Sequence, residues 1–311
     1  MALQLIADFL RSKYYVPRAR ESEASAVTIH IDSGHGNNAA QRGRPDSINI
    51  GAAVIAVWGS HGNRTNSSCW TAMEDYAALL TDHTVLRASV VPFTTGRPYS
   101  VAARIAKLPR HITAVFLIGL NAAESAAVQS ITAGSRGRLV ISETDALTAT
   151  VAAAAITALR AKRIPPRHGR LAVIGADRIP RLEAVLLECG AAHVTTHRGD
   201  ELDGPAIRKL IVNHDITVDL TDQDSMWAVP TRTLCVPADP YHFAALALPG
   251  LFGALCGHGT TQVTVGILAA AARALALITP VDRALPDVRD HRLDLAVAQL
   301  VSRVLGAPSK S

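Results

Sequence analysis

The stretch LAVIGADRIPRLEAVLLECGAAHVTTH, residues 171–197, decides the fold. Leu171 to Gly175 is an apolar run bounded by a turn, which predicts a buried strand. Pro180 to Cys189 carries apolar residues at helical spacing, and proline suits a first helical position. His193 to Thr196 is the next strand. The rhythm continues with a helix at Gly204 to Asn213 and strands at Thr217 to Leu220 and Thr233 to Val236. Strand, helix and strand in alternation predict a doubly wound parallel sheet of the Rossmann kind.

A dinucleotide-binding turn needs G-x-G-x-x-G, so that the backbone can approach a pyrophosphate at the helix start. This turn is Gly175-Ala176-Asp177-Arg178-Ile179-Pro180, and only its first glycine survives. Asp177 sets a negative charge where phosphate would approach, while Arg178 offsets it. After the second strand an acidic residue would hold the ribose; here stand Thr196-His197-Arg198, which suit a 2′-phosphate or another anion. Gly175, Arg178, His197 and Arg198 are thus the candidate cofactor-binding residues. The alternative is a Rossmann-shaped unit that has lost its nucleotide.

Upstream the same alternation occurs once more. A helix at Ala2 to Tyr14 and a strand at Val27 to Ile31 come first. Strands at Ala52 to Trp58, Leu86 to Phe93, Thr113 to Gly119 and Leu139 to Ser142 follow, with helices at Trp70 to Leu80 and Val101 to Leu108. A long alanine-rich helix, Asp145 to Ala161, capped by Thr144 or Asp145 and closed by Pro165-Pro166, connects the halves. The expected units are 1–144 and 145–311, and helices at Gln262 to Ile278 and His291 to Leu305 close the chain.

Composition narrows the function. The chain is 49% hydrophobic but only 4% aromatic and 18% charged, so its core is built from Ala, Val, Leu and Ile. The net charge of +5 comes from basic residues scattered singly or in short pairs such as Arg42 and Arg44, without interleaved rings, which argues against nucleic-acid binding. Cys69, Cys189, Cys235 and Cys256 form no C-x-x-C pair, and Met1 leads into a stretch with Asp8, Arg11 and Lys13 in place of a secretory leader. A reduced, cytoplasmic protein is expected. The longest apolar run, Val263 to Ile278, contains Arg273 and reads as a core helix, not a membrane span.

After the Rossmann-like strands, FAALALPGLFGAL at 243–255, then Ala270-Ala271-Ala272-Arg273-Ala274-Leu275 and Pro286-Asp287, resembles the end of malic enzymes: N-N-V-L-A-F-P-G-(I/L)-F-R-G-A-L, A-A-x-R-A-(I/L)-A, and a P-D element before the last helix. Further matches extend over the chain: Thr148-Ala149 with the G-T-A of the family, Met73-Glu74 and Ala77-Ala78-Leu79 with V-M-E-G-K-A-A-L-F, and the strand Val54 to Val57. The resemblance implies a two-domain α/β architecture, a cleft binding a 2-hydroxy acid, NAD(P) and a divalent metal, and a lysine–tyrosine acid–base pair. It also implies association through the first helix, hence a homodimer.

Residue by residue, those roles are missing. The family lysine falls on Tyr76, the tyrosine on Ile31, the metal-binding E-D pair near Ile118-Gly119, the H-D-D aspartate on Thr144 with Glu143 beside it, and the substrate asparagine on Ala244. No metal ligand set is expected, and malate oxidation is not. The loops that would line the cleft carry Gly34-His35-Gly36-Asn37-Asn38 and Gly59-Ser60-His61-Gly62-Asn63-Arg64. Histidine titrates near neutrality and flanking glycines expose it. His35, His61, Tyr76, Asp32 and Glu74 are therefore the candidate catalytic residues; ordinary surface turns and packing residues are the competing interpretation, and for His258 the preferred one. Three functions are open: a repurposed enzyme acting on a small metabolite in the interdomain cleft; a pseudoenzyme that binds a ligand or regulates another protein; and, ranked last because only two loops are placed to supply its three ligands, a histidine-ligated metal enzyme.

Overall fold

A computed structural model describes residues 51–57, 66–93, 97–134, 137–199, 202–221, 232–236 and 240–306. The expected helix 2–14 and strand 27–31, and the loops bearing Asp32, His35 and His61, lie outside the described residues.

Two all-parallel four-stranded sheets carry the fold. The first holds β1 (Gly51–Val57), β2 (Arg87–Phe93), β3 (Ile112–Ile118) and β4 (Leu139–Ser142) in the order β2-β1-β3-β4. The second repeats that winding with β5 (Arg170–Ile174), β6 (His193–His197), β7 (Ile216–Asp219) and β8 (Thr233–Cys235), ordered β6-β5-β7-β8. In each, the strand order reverses beside the first strand, which opens a crevice at the carboxyl ends of the strands.

The strand chemistry fits its place. Every residue of β1, GAAVIAV, is buried, as a central parallel strand requires. Its alternation feeds two cores. Ala52, Val54 and Ala56 join the main core, while Ala53, Ile55 and Val57 pack with Val101, Ile105 and Val128 on the opposite face. β2 is an edge strand, and it tolerates Pro92, which a central strand would not.

The helices are α1 (Asn66–His83), α2 (Pro98–Ala106), α3 (Ala122–Ala133), α4 (Glu143–Ala161), α5 (Leu182–Glu188), α6 (Gly204–Asn213), α7 (Tyr241–Gly257), α8 (Val265–Ile278) and α9 (Leu293–Gly306). The sequence reading assigns neither α3 nor α7. α3 lacks an apolar stripe, but Asn121 and Glu124 close a capping box at its start. α7 carries Pro249 in its interior and is buried along nearly its whole length.

α4 is the axis of the molecule. It is buried on all sides, from Ala146 through Leu159, as expected of a helix apolar all round. It packs on α7 and α8 and touches strands of both sheets, so that one apolar core runs from Phe116 and Ile141 to Leu171 and Val218. Its N-cap is Ser142, not the expected Thr144 or Asp145. Asp145 is instead the third helical residue: the Ser142 hydroxyl accepts from its N–H, and its carboxylate accepts from the Ser142 N–H at 3.0 Å. The same buried carboxylate accepts from Gln129 Nε2 of α3 at 2.6 Å and from Arg181 Nη1, just ahead of α5, at 2.9 Å. Arg181 Nη2 also donates to the Val263 carbonyl ahead of α8.

α7 and α9 cross at Gly250. A Cβ there would stand 2.6 Å from Val297 Cβ and 2.7 Å from the Asp294 carbonyl oxygen, whereas a Cβ at Gly253, one turn on, meets nothing within 4 Å. We expect Gly250→Ala to destabilise the protein by about 1–3 kcal/mol through overpacking. Gly253→Ala should stabilise it by up to about 1 kcal/mol, the helix propensity difference. Thermal or denaturant unfolding of the two variants checks both signs together.

Candidate functional site

The carboxyl ends of the first sheet carry the densest chemistry among the described residues. α1 turns Cys69, Met73, Tyr76 and Leu80 inward at helical spacing, so Tyr76 is fully buried. Its ring stands edge-on to Phe116 of β3 at 4.7 Å between centroids and tilted on Tyr241 of α7 at 4.8 Å. Its hydroxyl donates to Glu143 Oε1 at 2.7 Å. Glu143 is the first residue of α4, directly after β4, where a helix start favours a negative side chain. Tyr241 donates to the Asp75 carbonyl at 3.4 Å and stacks edge-on with the exposed His242. The pair Tyr76–Glu143 is thus held by α1, β3, α4 and α7 together.

Of the other sequence candidates, Glu74 lies on the exposed face of α1, where its carboxylate accepts from the Trp70 indole at 2.7 Å. Tyr76 and Glu74 therefore point to different sides of one helix. Glu143, named in the sequence only as a neighbour of Thr144, turns out to be the group that Tyr76 touches. Thr144 itself engages α4 through its carbonyl, which accepts from the Thr148 hydroxyl. Ile118 is buried and Gly119 has φ +83°, with a Cβ position only 2.7 Å from the Val57 carbonyl oxygen. Ala244 is buried in α7. These side chains offer no ligand set for a divalent metal, and no three His, Cys, Asp or Glu among the described residues converge to hold one.

The carboxyl end of the second sheet is arranged differently. Gly175 takes φ +77° after β5, and its N–H donates to the His197 carbonyl at 2.9 Å. Arg178 Nη1 donates to the Leu220 carbonyl at 2.9 Å, tying the turn after β5 to the end of β7. Asp219 lies buried there, accepting from the Thr221 N–H and hydroxyl. A Cβ on Gly199 would already touch Thr221 Cγ2 at 3.2 Å. Where the turn should run straight into a helix, a 3-10 turn over Ala176–Arg178 intervenes, and α5 has only seven residues and no side-chain cap. His197 Nε2 is buried without a hydrogen-bond partner among the described residues, and Arg198 is exposed beside it. Arg178 and the buried Asp219 thus both stand at the carboxyl end of the second sheet, where a dinucleotide-binding turn would meet a pyrophosphate.

Three of the four thiols are held towards their protonated form. Burial pushes Cys189 and Cys256 up to about 11, and burial with the nearby Asp219 carboxylate does the same for Cys235.

No family model matches the sequence, and no curated protein matches it. Solved structures do. The chain superposes on malic enzyme from Entamoeba histolytica with a TM-score of 0.67 at 15% identity, over 83% of this chain and 70% of that one. For malic enzyme from Pyrococcus horikoshii the TM-score is 0.66 at 14% identity, over 83% and 77%. For NAD-dependent malic enzyme from Thermotoga maritima it is 0.65 at 14%, over 81% and 84%. The chain therefore has a malic-enzyme-like fold; at such identity the likeness is one of fold alone. No helix among the described residues is long and apolar enough to cross a membrane.

A direct consequence concerns nucleotides. Titration with NADH or NADPH, followed by cofactor fluorescence, should show no saturation below about 1 mM, which corresponds to less than about 4 kcal/mol of binding free energy. Saturable micromolar binding would mean that the Arg178–Leu220 bridge opens readily.

Proposed function

We propose that this chain is a malic-enzyme-like scaffold repurposed to act on a small metabolite in the cleft between units 1–144 and 145–311, without metal-assisted oxidative decarboxylation of malate. The observation that carries the proposal is the 2.7 Å bond from Tyr76 to Glu143 at the carboxyl ends of the first sheet. A phenol bonded to a carboxylate can hold and pass a proton, and here it stands where the resemblance puts the lysine and the metal side of the family's site. On this reading Tyr76 and Glu143 are the acid–base pair. His35 with Asp32, and His61, are further candidates from the two glycine-flanked loops. Glu74 is the least suited of the original set, since it serves Trp70 on the outer face of α1.

The second reading, a pseudoenzyme that binds a ligand or regulates another protein, is supported by the Arg178 bridge across the turn after β5, where a dinucleotide-binding loop would keep its backbone open to phosphate. The two separate by experiment. The purified chain, incubated with a metabolite extract and followed by mass spectrometry, should deplete one compound class. It should produce no NADH or NADPH from malate, with or without magnesium or manganese. Tyr76→Phe and Glu143→Gln should each slow that conversion by about 10²–10⁴-fold, the usual worth of a positioned proton donor or acceptor, while His258→Ala leaves it unchanged. His35→Ala and His61→Ala should lower it without lowering the melting temperature. Binding without turnover, unaffected by these changes, would favour the pseudoenzyme.

The proposal includes a cytoplasmic homodimer associating through the segment at 2–14. Light scattering at micromolar concentration should then give twice the chain mass of 32.8 kDa; a monomer would remove the dimer from the picture.

A further inference from the structure

The amino end of the second sheet joins a basic run of the sequence to cations from two further strands. The segment KRIPPRHGR, residues 162–170, runs from the end of α4 into the first residue of β5. Strand pairing sets His193, which opens β6, beside Arg170. The Arg232 carbonyl accepts from Thr217 of β7, which brings Arg232 to the same edge. Lys162 Nζ donates to the Asp215 carbonyl at 2.5 Å. Burial first, and then the neighbouring Arg232 charge, pushes that ammonium below the ordinary lysine value, the response expected where positive charges crowd. Asp215 also holds Arg170, through its N–H at 2.8 Å and its guanidinium at 4.0 Å. Arg163 and Arg167 are exposed on the connecting turn. Beside them Val212 is 68% exposed, and its carbonyl accepts from Arg232 at 2.9 Å.

We infer that this basic edge is a docking surface for an acidic segment of a partner protein. Guanidinium forks match carboxylates in two-point contacts, and arginine is enriched at protein interfaces. The exposed Val212 offers an aliphatic contact within the charged field. No Phe, Tyr or Trp lies in 162–170 or among His193, Val212, Asp215 and Arg232, so this edge lacks the large rings of a stacking platform for single-stranded nucleic acid. The edge lies at the amino ends of the strands, opposite the crevice, and a partner seated there would leave the Tyr76–Glu143 site open. The inference does not depend on that site being catalytic.

The test uses the full chain and a fluorescein-labelled peptide of repeated Glu-Glu-Leu, read by anisotropy. Single-stranded RNA and phosphatidylserine vesicles serve as competing anions. The peptide should bind at low salt and weaken as salt rises. The double variant Arg163→Glu/Arg167→Glu should weaken it by about tenfold or more with an unchanged melting temperature, since neither side chain is part of the core. Arg87→Glu, on the first sheet, should change it by less than about twofold and so controls for net charge. Tighter binding of RNA or vesicles than of the peptide, no peptide binding at low salt, or full affinity in the double variant would each overturn the inference.

Discussion

The molecule is organised around one buried carboxylate. Asp145 receives Ser142 at the start of α4, Gln129 from α3 and Arg181 from the approach to α5. A buried charge is tolerated only when it is paired and hydrogen-bonded, because taking it out of water costs several kcal/mol. Here the pairing runs between the halves: one partner belongs to the first sheet's helices, and the other opens the second sheet's first helix. Arg181 passes the connection on to Val263, ahead of α8. The relative placement of the sheets is therefore fixed at a polar point, while the alanine surface of α4 supplies the non-directional packing around it.

The strands were readable in sequence because buried parallel strands are continuous apolar runs, as in Gly51–Val57 and Ile112–Ile118. Helices with an apolar stripe were equally plain. α3 was not, since AAESAAVQSITA has no stripe; the pair Asn121 and Glu124 was the available signal. The capping of α4 was misplaced for a related reason. Thr144 and Asp145 both resemble caps, and only the reciprocal bond with Ser142 decides between them. Of the site, Tyr76 was accessible through its place on α1. Its partner was not, because Glu143 is 67 residues away and meets it only through the stacking of α1, β3 and α7. The fate of Arg178 was equally hidden: sequence gives a cation in a turn, and only the fold shows that it spends its donor on Leu220.

The two crevices of this doubled architecture have diverged. Both sheets wind alike, and both place a left-handed glycine at a strand end, Gly119 and Gly175. One crevice is braced internally by a guanidinium. At the other, a fully buried phenol donates to a half-buried carboxylate and packs among aromatic rings, although rings make up only 4% of the chain. Scarce aromatics concentrated at one place mark where shape and polarity are specified most tightly.

Pro92 gives β2 a property that matters beyond the single chain. An open sheet edge invites a strand from another molecule, and the outer side of the first sheet is such an edge. Pro92 has no N–H to lend to an incoming ladder, and the exposed Arg87 at the other end of the strand resists a flat apolar approach. Addition of a strand from another molecule is thereby discouraged at β2.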